Sequence, residues 1–174
     1  KCLSEYLCKY TKANIKKTQR ASELCKTDLI TDMVNEFPDL QGVMGGYYAK
    51  HDGEDKAVST AISEHYLPRF SKDKLPSSKV GITLSLSDKL DSIISIFSTG
   101  AKPSGSKDPY GLRRASLAII KILIENKIDL NLIQVVDFYE KNINKAKSIS
   151  IEIRDHVINY ILDRFESLYK EQGY

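Results

Sequence analysis

Apolar residues recur every three or four positions along most of the chain, which is the spacing of the buried face of an α-helix. After a short stripe in the first ten residues, a longer run extends from Ala21 to Phe37. Pro38 ends that run, because the residue before a proline is pushed out of the helical region. Asp39 then caps a third predicted helix. The inward face of this helix is predicted to contain Leu40, Val43, Met44, Tyr47 and Tyr48.

The rest of the chain continues the helical pattern with one clear interruption. A fourth helix ends at Pro68, and a fifth carries a regular apolar face between Ile82 and Phe97. Residues 100–107 are rich in Gly, Pro and Ser and are predicted to form a loop. The pair Asp108-Pro109 is typical of a helix start, with an N-cap carboxylate before proline. The helix that follows, over residues 112–124, is apolar on most sides and is predicted to be buried.

Helices are predicted around residues 132–145 and 153–168 as well, and no useful stretch alternates as a strand does. We therefore predict an all-α fold, a single compact helical domain of roughly seven to eight helices over residues 1–174. Within it, residues 1–23 form an N-terminal helical extension. With 174 residues, 41% of them hydrophobic, such a chain can bury a core without disulfides.

Charge, hydropathy and cysteine content limit the kinds of partner and the cellular compartment that we expect for this chain. The net charge is +3, but the first 26 residues contain seven Lys or Arg against two Glu. A basic segment of this kind suits an anionic partner such as RNA, and an ordinary solvated helix face explains it equally well. The longest near-apolar run, residues 117–124, is too short to span a membrane. Three cysteines without a C-x-x-C spacing indicate free thiols in a reducing cytoplasm. The chain lacks an initiator Met, so we expect it to be part of a longer protein.

Four polar residues, Asp28, His51, Asp52 and Asp88, are of the types that bind metal ions in proteins. His51-Asp52 follows Tyr47 and Tyr48, and the spacing places His51 on the inward stripe of its helix. Asp28 and Asp88 are also predicted to point toward the core. These residues resemble a degenerate site of the HD phosphohydrolase superfamily, an all-α group that gathers His and Asp around metal.

Thr27 stands where that superfamily has histidine, and no histidine precedes His51. Zinc and two-metal sites need three or more good ligands. We therefore favour a structural remnant, with Asp28, His51 and Asp88 hydrogen-bonded or ion-paired in the core, over a metal centre. We predict an HD-like scaffold with no metal and no catalytic residue in this chain.

A second cluster lies in and after the loop. Lys102 and Lys107 lie in the loop, and Arg113 and Arg114 follow one turn into the next helix. Helix N-termini attract phosphate, and cationic side chains strengthen that attraction. The sequence lacks the G-K-[ST] ending of a Walker loop, which argues against an ATP site. The alternative is a surface loop whose arginines pair with acids such as Asp108. Gly42, Gly45 and Gly46 are predicted to allow close helix packing rather than to hold a ligand.

Several long motifs resemble the β subunit of bacterial glycyl-tRNA synthetase. The principal one runs from Thr27 to Glu54 and reads TDLITDMVNEFPDLQGVMGGYYAKHDGE. Others are YLPRF at 66–70, SDKLD at 87–91, KPSGSKDPYGLRR at 102–114, and the ending from Arg164 to Tyr174. The resemblance covers residues 24–174, whereas residues 1–23 match only in helical character.

This resemblance implies a heterotetramer of two α and two β subunits that joins glycine to tRNA(Gly) with ATP. It implies that ATP and Mg²⁺ bind in the α subunit, so no cofactor is expected in this chain. The chain would be the HD-like middle region of the β subunit.

The leading hypothesis is therefore a tRNA-binding and scaffolding domain of this ligase without its own catalytic site. The predicted phosphate contacts are Lys102, Lys107, Arg113 and Arg114, with Lys16, Lys17 and Arg20 as a second patch. A divergent metal-dependent phosphohydrolase using His51, Asp52 and Asp88 is the alternative enzyme, and a pure subunit-interaction module is a third possibility.

Overall fold

A computed structural model describes residues 1–101, 108, 110–143 and 149–171. Its ordered elements are helices, and the described residues contain no strand. The predicted all-α class is confirmed. No helix within these ranges is long and apolar enough to cross a membrane. The α-helices are α1 (Cys2–Thr11), α2 (Ile15–Leu24), α3 (Asp32–Glu36), α4 (Val43–His51), α5 (Lys56–Glu64), α6 (Lys79–Ser98), α7 (Leu112–Glu125), α8 (Leu132–Asn142), α9 (Ile151–Leu162) and α10 (Arg164–Glu171).

Two 3₁₀ turns complete the N-terminal half, at Thr27–Ile30 and Pro38–Leu40. The predicted continuous helix from Ala21 to Phe37 is therefore wrong, since α2 ends at Leu24 and α3 is a separate short helix. The chain turns after Cys25, and Thr31 caps α3 by accepting a hydrogen bond from the amide of Val34. Local capping chemistry thus divides a run whose apolar spacing looked continuous.

The chain folds into two compact units, the first made of residues 1–68 and 72–88. In this unit α5 packs against both α2 and α4, and the beginning of α6 contributes to the same core. Residues 1–23 belong to it, because Leu3 and Leu7 of α1 are buried and Thr11 shares a 2.6 Å hydrogen bond with Thr83. Buried residues of its core include Ala21, Cys25, Ala49, Val58, Ala61, Ile62, Val80 and Leu84.

Helices α4 and α5 approach closely at Gly46. A Cβ atom at this position would lie 1.8 Å from Ser63 Oγ and 3.0 Å from the carbonyl oxygen of Ser59. The predicted packing role of this glycine agrees with that geometry. Close approach brings the two helix backbones together and buries Ala49 on the same side of α4.

The second unit comprises residues 69–71 and 89–174. Its central element is α7, which packs against α9 and α10 and buries Leu112, Ile119, Ile120 and Ile122 completely or nearly so. The predicted burial of this helix is confirmed. Tyr139 of α8 donates a 2.8 Å hydrogen bond to Asp91 and lies 2.7 Å from Ser95 Oγ, which satisfies its buried hydroxyl.

Two predicted helix starts are shifted by glycines that adopt positive φ angles. Helix α4 begins at Val43 rather than at Asp39. Residues Pro38–Leu40 form a separate 3₁₀ turn, and Gly42, with φ +79°, separates that turn from the helix. Helix α7 begins at Leu112 after Gly111, whose φ is +66°, rather than directly after Asp108. Positive φ costs little at glycine and is unfavourable for other residues. All three cysteines are free thiols, Cys2 exposed and the other two buried.

Candidate nucleic-acid interface

Asp28 is held in the interior of the first unit by the start of α4. Only 1% of the residue is exposed. Its Oδ2 atom accepts hydrogen bonds from the backbone amides of Gly42 (2.6 Å) and Gly45 (3.0 Å). These amides are among the first of α4, which have no partner within the helix. Asp28 therefore caps α4 from fourteen residues upstream, and its negative charge suits the positive end of the helix dipole.

The shift in the start of α4 also changes which residues face the core. Gly45, Gly46 and Ala49 are buried, whereas Val43, Tyr47 and Tyr48 are exposed. The prediction that these three side chains point inward is therefore wrong. Small residues occupy the inner face because α5 lies too close for larger ones.

His51 is also on the outside, which corrects the prediction that it faces inward. Its side chain is 89% exposed, and Nδ1 lies 3.3 Å from Oδ1 of Asp52, which is also exposed. His51 comes two residues after Ala49, a rotation of about 200° around a helix with 3.6 residues per turn. The histidine and the buried Asp28 consequently do not converge.

Asp88 is paired with a lysine rather than with an imidazole. Lys26 Nζ lies 2.9 Å from Asp88 Oδ1 and 4.0 Å from the centre of the Tyr66 ring. Burial lowers the pKa of Lys26, but the attraction of Asp88 and hydrogen bonds to Asp88 and Tyr66 outweigh it and raise this pKa overall. Lys26 and Tyr66 were not singled out from the sequence. Their spacing of forty residues offered no motif that could have joined them.

These four positions therefore do not form the donor set of an HD-type metal site. Among the residues that the structure describes, no group of three or more His, Cys, Asp or Glu could hold a metal ion. One oxygen of Asp28 is committed to the backbone of α4, and Asp88 faces an ammonium group. The contacts of Asp28 and Asp88 agree with their interpretation as structural residues, whereas His51, which was predicted to join them in the core, is exposed.

In the basic N-terminal segment, most of the predicted cations face acids. Lys17 Nζ lies 2.8 Å from Asp55 Oδ2. Arg20 Nε donates a 2.9 Å hydrogen bond to Glu54 Oε1, and its guanidinium also lies 3.7 Å from Glu23. Lys16 is exposed, and no ion pair joins it to the described part of the chain. The acids that neutralise this segment lie between α4 and α5, which the sequence did not indicate.

The arginine pair at the start of α7 is differently placed. The backbone amide of Arg113 donates a 3.1 Å hydrogen bond to Asp108 Oδ2. Arg114 Nε lies 4.0 Å from the same oxygen, yet 67% of its side chain remains exposed. The two lysines predicted to act with this pair, Lys102 and Lys107, lie outside the described residues.

A tyrosine and a third arginine, both missed from the sequence, adjoin this pair. Arg164 of α10 stands over the ring of Tyr160, with 5.8 Å between the guanidinium carbon and the ring centre. Burial raises the pKa of the Tyr160 hydroxyl and the negative charge of Asp108 adds to this, while Arg113 and Arg164 act in the opposite direction. Cations from α7 and α10 thus act on one buried phenol. A helix N-terminus with exposed guanidinium groups can attract phosphate oxygens.

The geometry defines an all-helical scaffold with an exposed arginine at the start of a long helix. A sequence model of the family described as glycyl-tRNA synthetase beta subunit matches residues 1–174. The chain belongs to the glycyl-tRNA synthetase β-subunit family.

Curated relatives are glycine–tRNA ligase beta subunits. That of Janthinobacterium sp. (strain Marseille) is 48% identical over 154 residues, covering 88% of this chain and 22% of the relative. The Hahella chejuensis protein is 49% identical over 155 residues, covering 89% and 22%. The Psychromonas ingrahamii protein is 42% identical over 172 residues, covering 99% and 25%. The chain therefore spans about a quarter of the length of these relatives.

Proposed function

We propose that this chain is a tRNA-docking and scaffolding domain within the β subunit of a cytoplasmic glycine–tRNA ligase. In this proposal two α and two β subunits join glycine to tRNA(Gly). The α subunit binds ATP and Mg²⁺, and this domain contributes no catalytic residue. Support comes from the family match over residues 1–174 and from relatives named as ligase β subunits.

The observation that carries the tRNA-docking role is the exposure of Arg114 at the N-terminus of α7. Its side chain is 67% exposed although Asp108 Oδ2 lies 4.0 Å from Nε, so the side chain as a whole remains largely open to solvent. Arginine binds phosphate through two parallel N–H groups, and the backbone amides at a helix start add to the attraction. Arg113 is the neighbouring cation, with Lys102 and Lys107 preceding it in sequence.

The second predicted patch contributes less in this proposal. Lys17 and Arg20 are joined to Asp55 and Glu54, and RNA would have to displace those acids before it could use either cation. Lys16 is the member of this patch that can reach phosphate without such exchange. We therefore assign the main phosphate contacts to the start of α7.

The test is tRNA(Gly) binding by the complete α and β complex carrying Arg113→Ala and Arg114→Ala in the β subunit. We expect the dissociation constant to rise about tenfold and the salt dependence to become shallower by one to two units, since each phosphate contact contributes about 0.9 to the slope. Lys17→Ala with Arg20→Ala removes the same number of charges and serves as the matched control. An arginine variant with unchanged affinity and salt slope would show that these arginines are structural.

A deletion of the whole region tests the scaffolding role separately. Glycylation measured with the α subunit and a β subunit lacking this segment should fall, because tRNA would be held in the wrong place. ATP and glycine activation without tRNA should continue, since the proposal assigns that chemistry to the α subunit. Loss of both activities together would contradict the division of roles.

A further inference from the structure

A concentrated set of large apolar side chains remains exposed in the first unit. Among the residues that the structure describes, fifteen large apolar residues are exposed, and seven of them lie between residues 29 and 48, in a stretch of twenty residues. Ile30 is 86% exposed, more than any of the others. We call this set the apolar patch, consisting of Leu29, Ile30, Met33, Phe37, Val43, Tyr47 and Tyr48.

The patch lies on elements that contact one another. The 3₁₀ turn at Thr27–Ile30 packs against both α3 and α4, and α3 packs against the second turn at Pro38–Leu40. Val43 and Tyr47 are four residues apart and therefore share one stripe of α4. Soluble proteins rarely expose a large contiguous apolar surface unless a partner covers it.

The backbone beneath the patch is held in place by hydrogen bonds that are buried or partly buried. Asp28 ties the first turn to the amides of Gly42 and Gly45, and Thr31 Oγ1 donates a 2.7 Å hydrogen bond to the carbonyl of Asp28. A surface that is already ordered loses little conformational entropy when it binds. The patch therefore has the properties of a preformed docking surface rather than of a loosely folded segment.

The charges around the patch indicate the chemistry of its partner. Residues 27–49 contain four acids and no Lys or Arg, and three of these acids, Asp32, Glu36 and Asp39, are exposed. The exposed charges within this range are acidic, although Lys26 and Lys50 lie immediately outside it, and this excess of acids argues against RNA. A protein surface that is apolar at its centre and carries Lys or Arg at its edge would complement both features.

We propose that the apolar patch is a docking surface for the α subunit of the ligase. The complementary surface of the α subunit would be apolar at its centre and bordered by basic residues. The proposal rests on the proposed function for the identity of the partner. Phe37 and Tyr47 are the expected anchors, because aromatic side chains at the centre of an interface contribute most of its binding energy. The arginine pair of α7 takes no part in this contact.

The first experiment measures association of the full-length β subunit with the α subunit in the absence of tRNA. Ile30→Glu and Tyr47→Glu should each weaken binding at least tenfold. Ile151→Glu makes the same change at another exposed isoleucine, 69% exposed and outside the patch, and should alter binding less than twofold. Equal effects of Ile30→Glu and Ile151→Glu, or no effect of either patch variant, would overturn the proposal.

The second experiment asks whether the patch is open before the subunits meet. A full-length β subunit with Ile30→Cys, in which the exposed Cys2 is replaced by serine, is treated with a maleimide reagent. We expect rapid labelling of the free subunit and labelling at least tenfold slower after the α subunit is added. Slow labelling in the β subunit alone would show that its own remaining residues cover the patch, which would overturn the proposal.

The two proposals can fail independently. Patch variants that retain α-subunit binding, in a complex whose tRNA affinity still depends on Arg113 and Arg114, would overturn the docking proposal alone. Conversely, a complex that assembles through the patch yet binds tRNA(Gly) without help from this domain would contradict the proposed function alone.

Discussion

The first backbone amides of α4 and of α7 have no partner within their helix, and a remote aspartate caps them in two different environments. Each helix follows a glycine with positive φ, Gly42 or Gly111, that supplies no side-chain cap. Each is served by an aspartate from upstream, since Asp28 accepts from the amides of Gly42 and Gly45 and Asp108 accepts from the amide of Arg113. The difference lies in what surrounds the carboxylate.

At α4 the carboxylate is enclosed by backbone and apolar side chains. Asp28 is 1% exposed, and a Cβ atom on Gly45 would come within 3.0 Å of both the carboxylate and Ile62. At α7 the side chain of Asp108 is 18% exposed, and it lies beside an arginine that faces solvent. The enclosed aspartate at α4 therefore has a purely structural role. At α7, where an arginine and solvent reach the aspartate, the start of the helix remains a surface that can bind anions.

The largest expected effect is the loss of the enclosed cap. Asp28→Ala leaves two buried amides without partners, so α4 should lose about 3 kcal/mol of stability against opening. Hydrogen exchange of the α4 amides in the full-length β subunit measures this value. Asp108→Ala removes the corresponding partner at α7 and should cost about 1 kcal/mol. Similar costs for the two variants would contradict the contrast between the enclosed and open caps.

A smaller loss is expected from filling the space beside the enclosed cap. Gly45→Ala pushes a methyl group against Asp28 and Ile62, and such overpacking typically costs 1–3 kcal/mol, here about 2 kcal/mol. Gly111→Ala also introduces a methyl group, but it meets the flexible end of Arg114 at 3.2 Å. Its cost should be about 1 kcal/mol, arising from the positive φ angle. Urea-dependent hydrogen exchange at both helices compares the two.

The open cap can be tested through binding. Asp108→Asn removes the negative charge beside the arginines while retaining an acceptor for the amide of Arg113. We expect tRNA(Gly) affinity of the complete ligase to rise two- to threefold at low salt, with the increase lost at high salt because screening weakens it. Asp55→Asn is the control in the paired N-terminal segment. Weaker binding by Asp108→Asn would contradict a phosphate contact at this site.

The smallest expected effect is the contribution of Tyr160 to the loss of stability at high pH. The pKa of Tyr160 is raised in the folded protein, by burial first and then by Asp108. Below pH 10 the phenol is protonated in both folded and unfolded chains, so the stabilisation is fully present. As the pH rises above 10, the unfolded chain releases its proton first and stability falls. Tyr160→Phe should reduce this fall, as measured by thermal unfolding between pH 9 and pH 11.

Sequence periodicity was sufficient for the helical class and for the burial of α7, but not for the direction of individual polar residues. The stripe that appeared to include His51 assumed a helix starting at Asp39, and Gly42 moved that start to Val43. The sequence also did not show that the cations of the N-terminal segment are paired whereas Arg114 is largely exposed. Glu54 and Asp55 neutralise Arg20 and Lys17 from more than thirty residues away.

The sequence by itself determined that the chain is helical and where the helices around residues 82–97 and 112–124 lie, because helix formation depends on neighbours three and four residues away. Its long motifs determined which family it resembles. The apolar runs over residues 21–37 and 153–168 are each divided between two helices in the structure. Only the tertiary structure decided that Asp28 caps α4, that Lys26 faces Asp88, and that Tyr47 and Ile30 stay outside. Those outcomes depend on which distant backbones approach closely. The hydrogen-bonding and charge partners of a polar side chain are then set by long-range packing rather than by its neighbours in sequence.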